Sequence, residues 1–182
     1  MISHVYYKKR YYRELELSEL EKLGIYLVNG RLILVANELF KNGHSNKCVE
    51  EVTSKINEIW YKFKSGRQPI LMACRKVAIV VYEDDNVKGE AQFPLVVATT
   101  AVLLSLVNER IRFKAITVYC DNLNKISRKT IIGLLTAVFP QVGRRVMVEY
   151  KFHLVIKNPT IGVDMTFVDC RKPEYINWFE FL

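Results

Sequence analysis

Hydrophobic positions recur at every second residue through Arg144–Lys157. There Val146, Val148, Tyr150, Phe152, Leu154 and Ile156 alternate with Met147, Glu149, Lys151, His153, Val155 and Lys157. Successive side chains of a strand point to opposite faces, so the pattern predicts one long strand with a buried face and a half-wet face. Such one-sided burial suits an antiparallel sheet covered on one side only.

Upstream, Ile25–Val28 and Arg31–Ala36 flank Asn29-Gly30, a strong hairpin signal, although one strand with a glycine bulge gives a similar pattern. The polar loop Lys41–Ser45 leads into a helix in which Val49, Val52, Ile56, Ile59, Trp60 and Phe63 recur at steps of three and four. Ser45 or Asn46 caps it, and Ser65-Gly66 ends it. Pro69–Tyr82 reads as strand, broken at Arg75-Lys76 by a bulge or bend. Phe93–Val107 reads as a mostly buried helix with Pro94 near its start, against a pull toward strand from its Val and Thr content. Arg110–Cys120 is a strand whose apolar phase shifts midway, and Ser127 caps a helix over Arg128–Phe139. After the long strand, an Asn158-Pro159 turn leads to Val163–Val168 as its hairpin partner. This order predicts a single α+β domain: a mainly antiparallel twisted sheet covered on one face by two or three helices.

Residues 1–23 differ from the rest. His4–Arg13 interleaves Tyr6, Tyr7, Tyr11 and Tyr12 with Lys8, Lys9, Arg10 and Arg13, and Glu14–Leu23 is a marginal helix stopped by Gly24. This basic-aromatic arm either caps the core with its tyrosines or touches membrane, RNA or a neighbouring subunit. The core domain is then 24–182, ending in an aromatic tail whose Trp178, Phe179, Phe181 and Leu182 dock on the body or on a partner.

Charge adds a partner class. The 182 residues hold 27 Lys and Arg against 19 Asp and Glu, a net +8, which favours polyanions: nucleic acid or an anionic membrane. The cations gather as Lys8-Lys9-Arg10-Arg13, Lys62-Lys64-Arg67, Arg75-Lys76, Arg110-Arg112-Lys114, Lys125-Arg128-Lys129, Arg144-Arg145 and Arg171-Lys172. Taken singly, each group is a solubilising edge or a helix-end charge; their number carries the polyanion reading. No base-reading motif accompanies them, so RNA contacts would be to phosphates and salt-sensitive.

Candidate chemistry is sparse. Cys48, Cys74, Cys120 and Cys170 are widely spaced and fit reduced thiols. His4, His44 and His153 have no Cys or carboxylate at a telling spacing, and Glu83, Asp84, Asp85 and Glu90 lack the spacing of a calcium loop. The glycines stand singly, so no phosphate-cradling loop is present. The expectation is a non-enzyme without metal or cofactor. The N-terminus lacks an apolar core of signal-peptide length, and Phe93–Val107 is shorter than the roughly 20 residues of a membrane span, so membrane contact is expected to be peripheral.

Leu32–Tyr82 runs strand, Phe40, polar loop, helix ending in Trp60-Tyr61, then Gly66-Arg67-x-Pro69 into an apolar strand. This order, with Arg144-Arg145 before the alternating strand in Phe139–Ile156, resembles rhabdovirus matrix proteins, particularly the shorter ones of plant-infecting members. The resemblance covers roughly Ile25–Val168 and rests on element order and scattered residues. The chain departs from animal-infecting relatives in its short arm and in lacking Pro-Pro-x-Tyr, although Tyr12-Arg13-Glu14-Leu15 has the Tyr-x-x-Leu form. The resemblance implies a viral structural protein that self-associates, condenses the viral nucleocapsid and bridges it to an anionic membrane. It would reside in the virion, the host cytoplasm and host membranes, with the nucleus as a further compartment. A viral RNA-binding accessory protein, such as a silencing suppressor or movement protein, is the alternative. Polyanion contacts are expected at Lys8, Lys9, Arg10, Arg13, Lys62, Lys64, Arg67, Arg110, Arg112, Lys114, Lys125, Arg128, Lys129, Arg144 and Arg145. Homo-oligomer contacts are expected at Tyr6, Tyr7, Tyr11, Tyr12, Trp178, Phe179 and Phe181.

Overall fold

The computed structural model describes residues 15–28, 31–62, 76–107, 115–123, 127, 129–133, 142–144, 151–156 and 161–169. A helix over residues 15–23 (α1) leads through Gly24 into strand β1 (Ile25–Val28), which pairs antiparallel with β2 (Arg31–Val35) in the register Val28↔Arg31 and Ile25↔Leu34. The Asn29-Gly30 signal therefore marks a hairpin. Gly24 sits at φ +98°, its N–H donates to the Glu21 carbonyl, and its own carbonyl accepts from Val35 N–H at 2.8 Å. A Cβ there would lie 2.7 Å from Glu38 Cβ, so both backbone angle and space require glycine.

From β2 the chain passes through one helical turn, α2 (Ala36–Leu39), to α3 (Asn46–Lys62), β3 (Lys76–Val80), a 3-10 turn at Gly89–Ala91, α4 (Gln92–Val107) and β4 (Ala115–Cys120). Helical residues 129–133 follow, then β5 (Val142–Arg144), β6 (Lys151–Ile156) and β7 (Ile161–Asp169). The strands form one mixed sheet in the order β1-β2-β3-β4-β7-β6-β5. β2, β3, β4 and β7 are mutually parallel, with Arg31↔Lys76, Lys76↔Ala115 and Ala115↔Asp164 side by side at their amino ends. β6 and β5 close the far side as antiparallel strands.

The fold is α+β in one domain, and the sheet is not mainly antiparallel. The physical reason lies in the connections. A helix-length segment separates β2 from β3 and β3 from β4, which permits a parallel crossover. Leu32–Val35, Val77–Val81 and Ile116–Cys120 are also near-continuous apolar runs, the signature of strands buried on both faces. The expected single strand Arg144–Lys157 is corrected as well. β5 and β6 run antiparallel with Arg144↔Phe152, so the chain reverses between residues 144 and 151. Apolar residues that alternate on both sides of a chain reversal can keep one period and so resemble a single strand. The onward hairpin does exist, from Leu154↔Val163 to Lys151↔Thr166.

Two clusters divide the strand side chains by parity. Leu32 and Leu34, Val77 and Ile79, Ile116 and Val118, and Val163, Met165 and Phe167 join Leu20 of α1, Ile56 of α3, Phe93 and Leu103 of α4, and Ile131. Ile33, Ala78, Val80, Tyr119 and Val168 form the second, smaller cluster. α4 is apolar all round, and its buried Thr99 and Thr100 hydroxyls donate to the Leu95 and Val96 carbonyls at 2.8 Å, so neither is left unpaired.

Candidate functional site at the carboxyl rim of the parallel strands

Polar residues collect where the parallel strands end. Asn37, two residues past β2, reaches across to the chain after β3. Its Nδ2 donates to the Tyr82 carbonyl at 2.9 Å and to Asp84 Oδ2 at 3.1 Å, while its Oδ1 accepts from Tyr82 N–H at 3.0 Å. Asp84 Oδ1 in turn accepts the backbone N–H groups of Asn86 and Val87 at 2.8 Å, fixing the turn. The Asn86 N–H, then the Asn37 side chain, hold the Asp84 carboxyl below its ordinary range against a smaller opposing effect of burial.

The next strand end is tied in the same manner. Gln92, fully buried at the start of α4, accepts from Asp121 N–H at 2.9 Å and donates to the carbonyls of Asp121 at 2.9 Å and Gly89 at 3.1 Å. Asp121 Oδ2 accepts Glu83 N–H at 2.9 Å, and Asn122, at φ 54°, donates to Glu83 Oε1. Ser127 Oγ accepts Thr130 N–H at 3.1 Å, the cap expected of it, and the Thr130 hydroxyl donates to Glu90. Burial pushes the Cys120 thiol up to about 12, assisted by Asp169 and Asp121, which keeps it protonated at neutral pH.

Each of these groups secures a loop or a helix start. Among the described residues no buried side-chain nitrogen or oxygen lacks a partner, and no three His, Cys, Asp or Glu side chains group as metal ligands. The strand order also bears on ligands. Open parallel sheets bind them in the crevice where the strand order reverses direction. Here β2, β3, β4 and β7 succeed one another in a single direction, so the parallel part has no reversal and no such crevice.

A concavity lies between α3 and α4. This open groove of about 420 Å³ is lined by His44, Asn46, Val49, Glu50, Pro94, Val97, Ala98 and Ala101. No described helix is long and apolar enough to cross a membrane.

Of the cations expected to bind polyanions, Lys62 and Lys129 have described side chains. Lys62 ends α3 and donates to Glu19 of α1 at 2.6 Å, so part of its charge is used in joining two helices. Lys129 is exposed on the short helix after Ser127. The backbone of Arg144 lies in β5. Lys8, Lys9, Arg10, Arg13, Lys64, Arg67, Arg110, Arg112, Lys114, Lys125, Arg128 and Arg145 lie outside the described residues, as do Tyr6, Tyr7, Tyr11, Tyr12, Trp178, Phe179 and Phe181. Among described residues the structure thus brings none of these expected contacts together. It brings together Asn37, Gln92 and Asp121, which sequence reasoning passed over, with Asp84, which it weighed only as a cation ligand. A lone Gln opening an all-apolar helix and an Asn directly after an apolar strand were the available signals. No protein-family model, curated protein or solved structure matches the chain.

Proposed function

We propose that this chain is a viral matrix-type assembly protein, which binds anionic surfaces through basic segments carried on a folded body and self-associates while doing so. The observation that carries the reading is the distribution of charge. The chain as a whole is +8, yet its described side chains include more carboxylates than cations. The positive excess therefore belongs to the remaining residues, while the carboxyl rim of the parallel strands is acidic at Glu83, Asp84, Asp85, Glu90 and Asp121. An acidic rim repels a polyanion, so contact with one falls to basic residues away from that rim.

The packing supports a scaffold role. The helices α1, α3 and α4 share one cluster with alternate residues of the strands, and among the described residues no further strand pairs with the outer sides of β1 and β5. At the amino edge Arg31 and Lys76 stand side by side, two cations next to the points where the chain enters β2 and β3. Each basic side chain near an anionic leaflet contributes about 1 kcal/mol, so several must act together.

The test is flotation of the full chain with vesicles of phosphatidylserine and phosphatidylcholine against phosphatidylcholine alone, with RNA binding measured in parallel. The chain is expected to float with the anionic vesicles and to be released near 1 M salt, where the Debye length is about 3 Å. Indifference to anionic vesicles, with tight RNA binding and a steep log–log salt dependence, would replace the matrix-type reading by that of an RNA-binding accessory protein.

A further inference from the structure

We propose that β1 is the contact surface for a second copy of this chain, the two β1 strands pairing antiparallel about a two-fold axis so that the sheets join edge to edge. β1 ends the strand order, and its inner side is taken by β2. Among the described residues no strand pairs with its outer side. An edge strand presents a row of backbone donors and acceptors, and folded proteins guard it with Lys, Pro, a bulge or an inward-pointing charge. Ile25-Tyr26-Leu27-Val28 has no Lys, Pro or charge, and its four residues match four of β2 without a break, so it has no bulge. Among the described residues, shortness is the protective device that this strand has.

The side chains add a second argument. Leu27 packs, half-buried, against the large cluster, while Tyr26 and Val28 pack, also half-buried, against the small one. Apolar surface on both faces of the sheet therefore runs out to the edge, and a second β1 continues both clusters at once. A two-fold axis makes the same four residues serve both partners, and an uncharged strand meets its copy without like-charge repulsion. A four-residue antiparallel pair supplies up to about four hydrogen bonds. This names an interface for the self-association proposed above and is independent of which polyanion the chain binds.

The experiment is sedimentation of the full chain over a concentration series, free of lipid and RNA, beside Tyr26→Lys. That substitution places a guard cation on the edge and leaves Glu38, the acceptor of the Tyr26 hydroxyl at 2.9 Å, as its partner. The parent is expected to dimerise, and the variant to need roughly tenfold more protein or beyond, the equivalent of about 1.4 kcal/mol. Hydrogen exchange on the unmodified chain provides a readout that no folding defect can imitate: the amides of residues 25–28 are expected to slow as concentration rises. A parent monomeric throughout, a variant that dimerises as well as the parent, or exchange independent of concentration overturns the pairing. An open-ended series of oligomers overturns the two-fold arrangement. A monomer that floats with anionic vesicles leaves the polyanion reading standing and removes this one; a dimer that ignores vesicles does the reverse.

Discussion

Replacing Gln92 tests whether the carboxyl rim is a set of structural ties. Its carboxamide is fully buried and makes three hydrogen bonds of 2.9 to 3.1 Å, two to the main chain of Asp121 and one to that of Gly89, both half-buried residues. Gln92→Leu keeps most of the volume but removes all three, so the Asp121 N–H and two carbonyls lose a buried partner. An unsatisfied buried group costs about 1–3 kcal/mol, and partial rehydration after loop movement places the sum near 3 kcal/mol. For a chain of this size each kcal/mol shifts Tm by about 2–4 °C, so a fall of roughly 6–12 °C is expected in a calorimetric scan. Gln92→Glu gives a sign as well as a size. Its carboxylate can accept from Asp121 N–H but faces two carbonyl oxygens where the amide NH2 stood. Protonation restores a donor, so the folded-state pKa lies above the unfolded value of about 4.3. The deficit relative to the parent is then smallest below about pH 4 and widens as pH rises toward the folded pKa. A Gln92→Leu change below about 0.5 kcal/mol, the range of an ordinary surface substitution, would refute the tie.

Further outcomes follow from single positions. Gly24→Ala meets Glu38 Cβ at 2.7 Å and an unfavourable φ of +98°, so denaturant titration should show a loss of about 1–3 kcal/mol. Phe167→Ala empties a buried site beside Phe93, whose ring centroid is 5.8 Å away, and should cost about 3–5 kcal/mol in the same titration. Burial, then the hydrogen bond to Glu38, raises Tyr26 to about 12, so the folded state holds its proton more tightly than the unfolded chain. Stability should consequently fall as pH rises from 10 toward 12, and Tyr26→Phe should flatten that decline in alkaline denaturation curves. Lys62→Gln removes a solvent-exposed ion pair with Glu19 and should change stability by less than about 1 kcal/mol.

Local periodicity carried the elements whose pattern and partner lie close in sequence. The spacing of Val49, Val52, Ile56 and Ile59 gives α3, Asn29-Gly30 gives the β1–β2 hairpin, and the run from Phe93 gives α4. What periodicity misread was orientation. One-sided alternation near residue 150 suggested an antiparallel sheet, while the two-sided apolar runs of β2, β3 and β4, joined by helix-length segments, already marked parallel strands. The helix over 15–23 was read as marginal, yet Leu20 is buried in the main cluster. Amphipathic spacing shows that a face exists and leaves open what covers it. The rim was illegible for a different reason. Asn37 meets Tyr82 45 residues away, and Gln92 meets Asp121 29 residues away, so neither pairing leaves a local pattern. Basic clusters could be counted from sequence but not positioned, since a charge has no periodic constraint unless it faces a core.

Strand order connects these observations to a role. A chain that adds β3 to β2 and β4 to β3 in one direction, with crossovers of one hand, must lay its helices on the same side. α3 and α4 accordingly fall in one cluster. The same order removes the crevice that a reversal opens in doubly wound sheets, and the polar groups that remain at the strand ends are taken up by Asn37 and Gln92 in holding loops. With the carboxyl end of the parallel strands tied off among the described residues, the proposed function falls to the β1 edge and to the basic residues of the chain. On the proposed reading the edge joins copies and the basic residues meet anions, so the protein acts through multiplicity. Weak contacts of about 1 kcal/mol per cation become effective when pairing presents them in numbers.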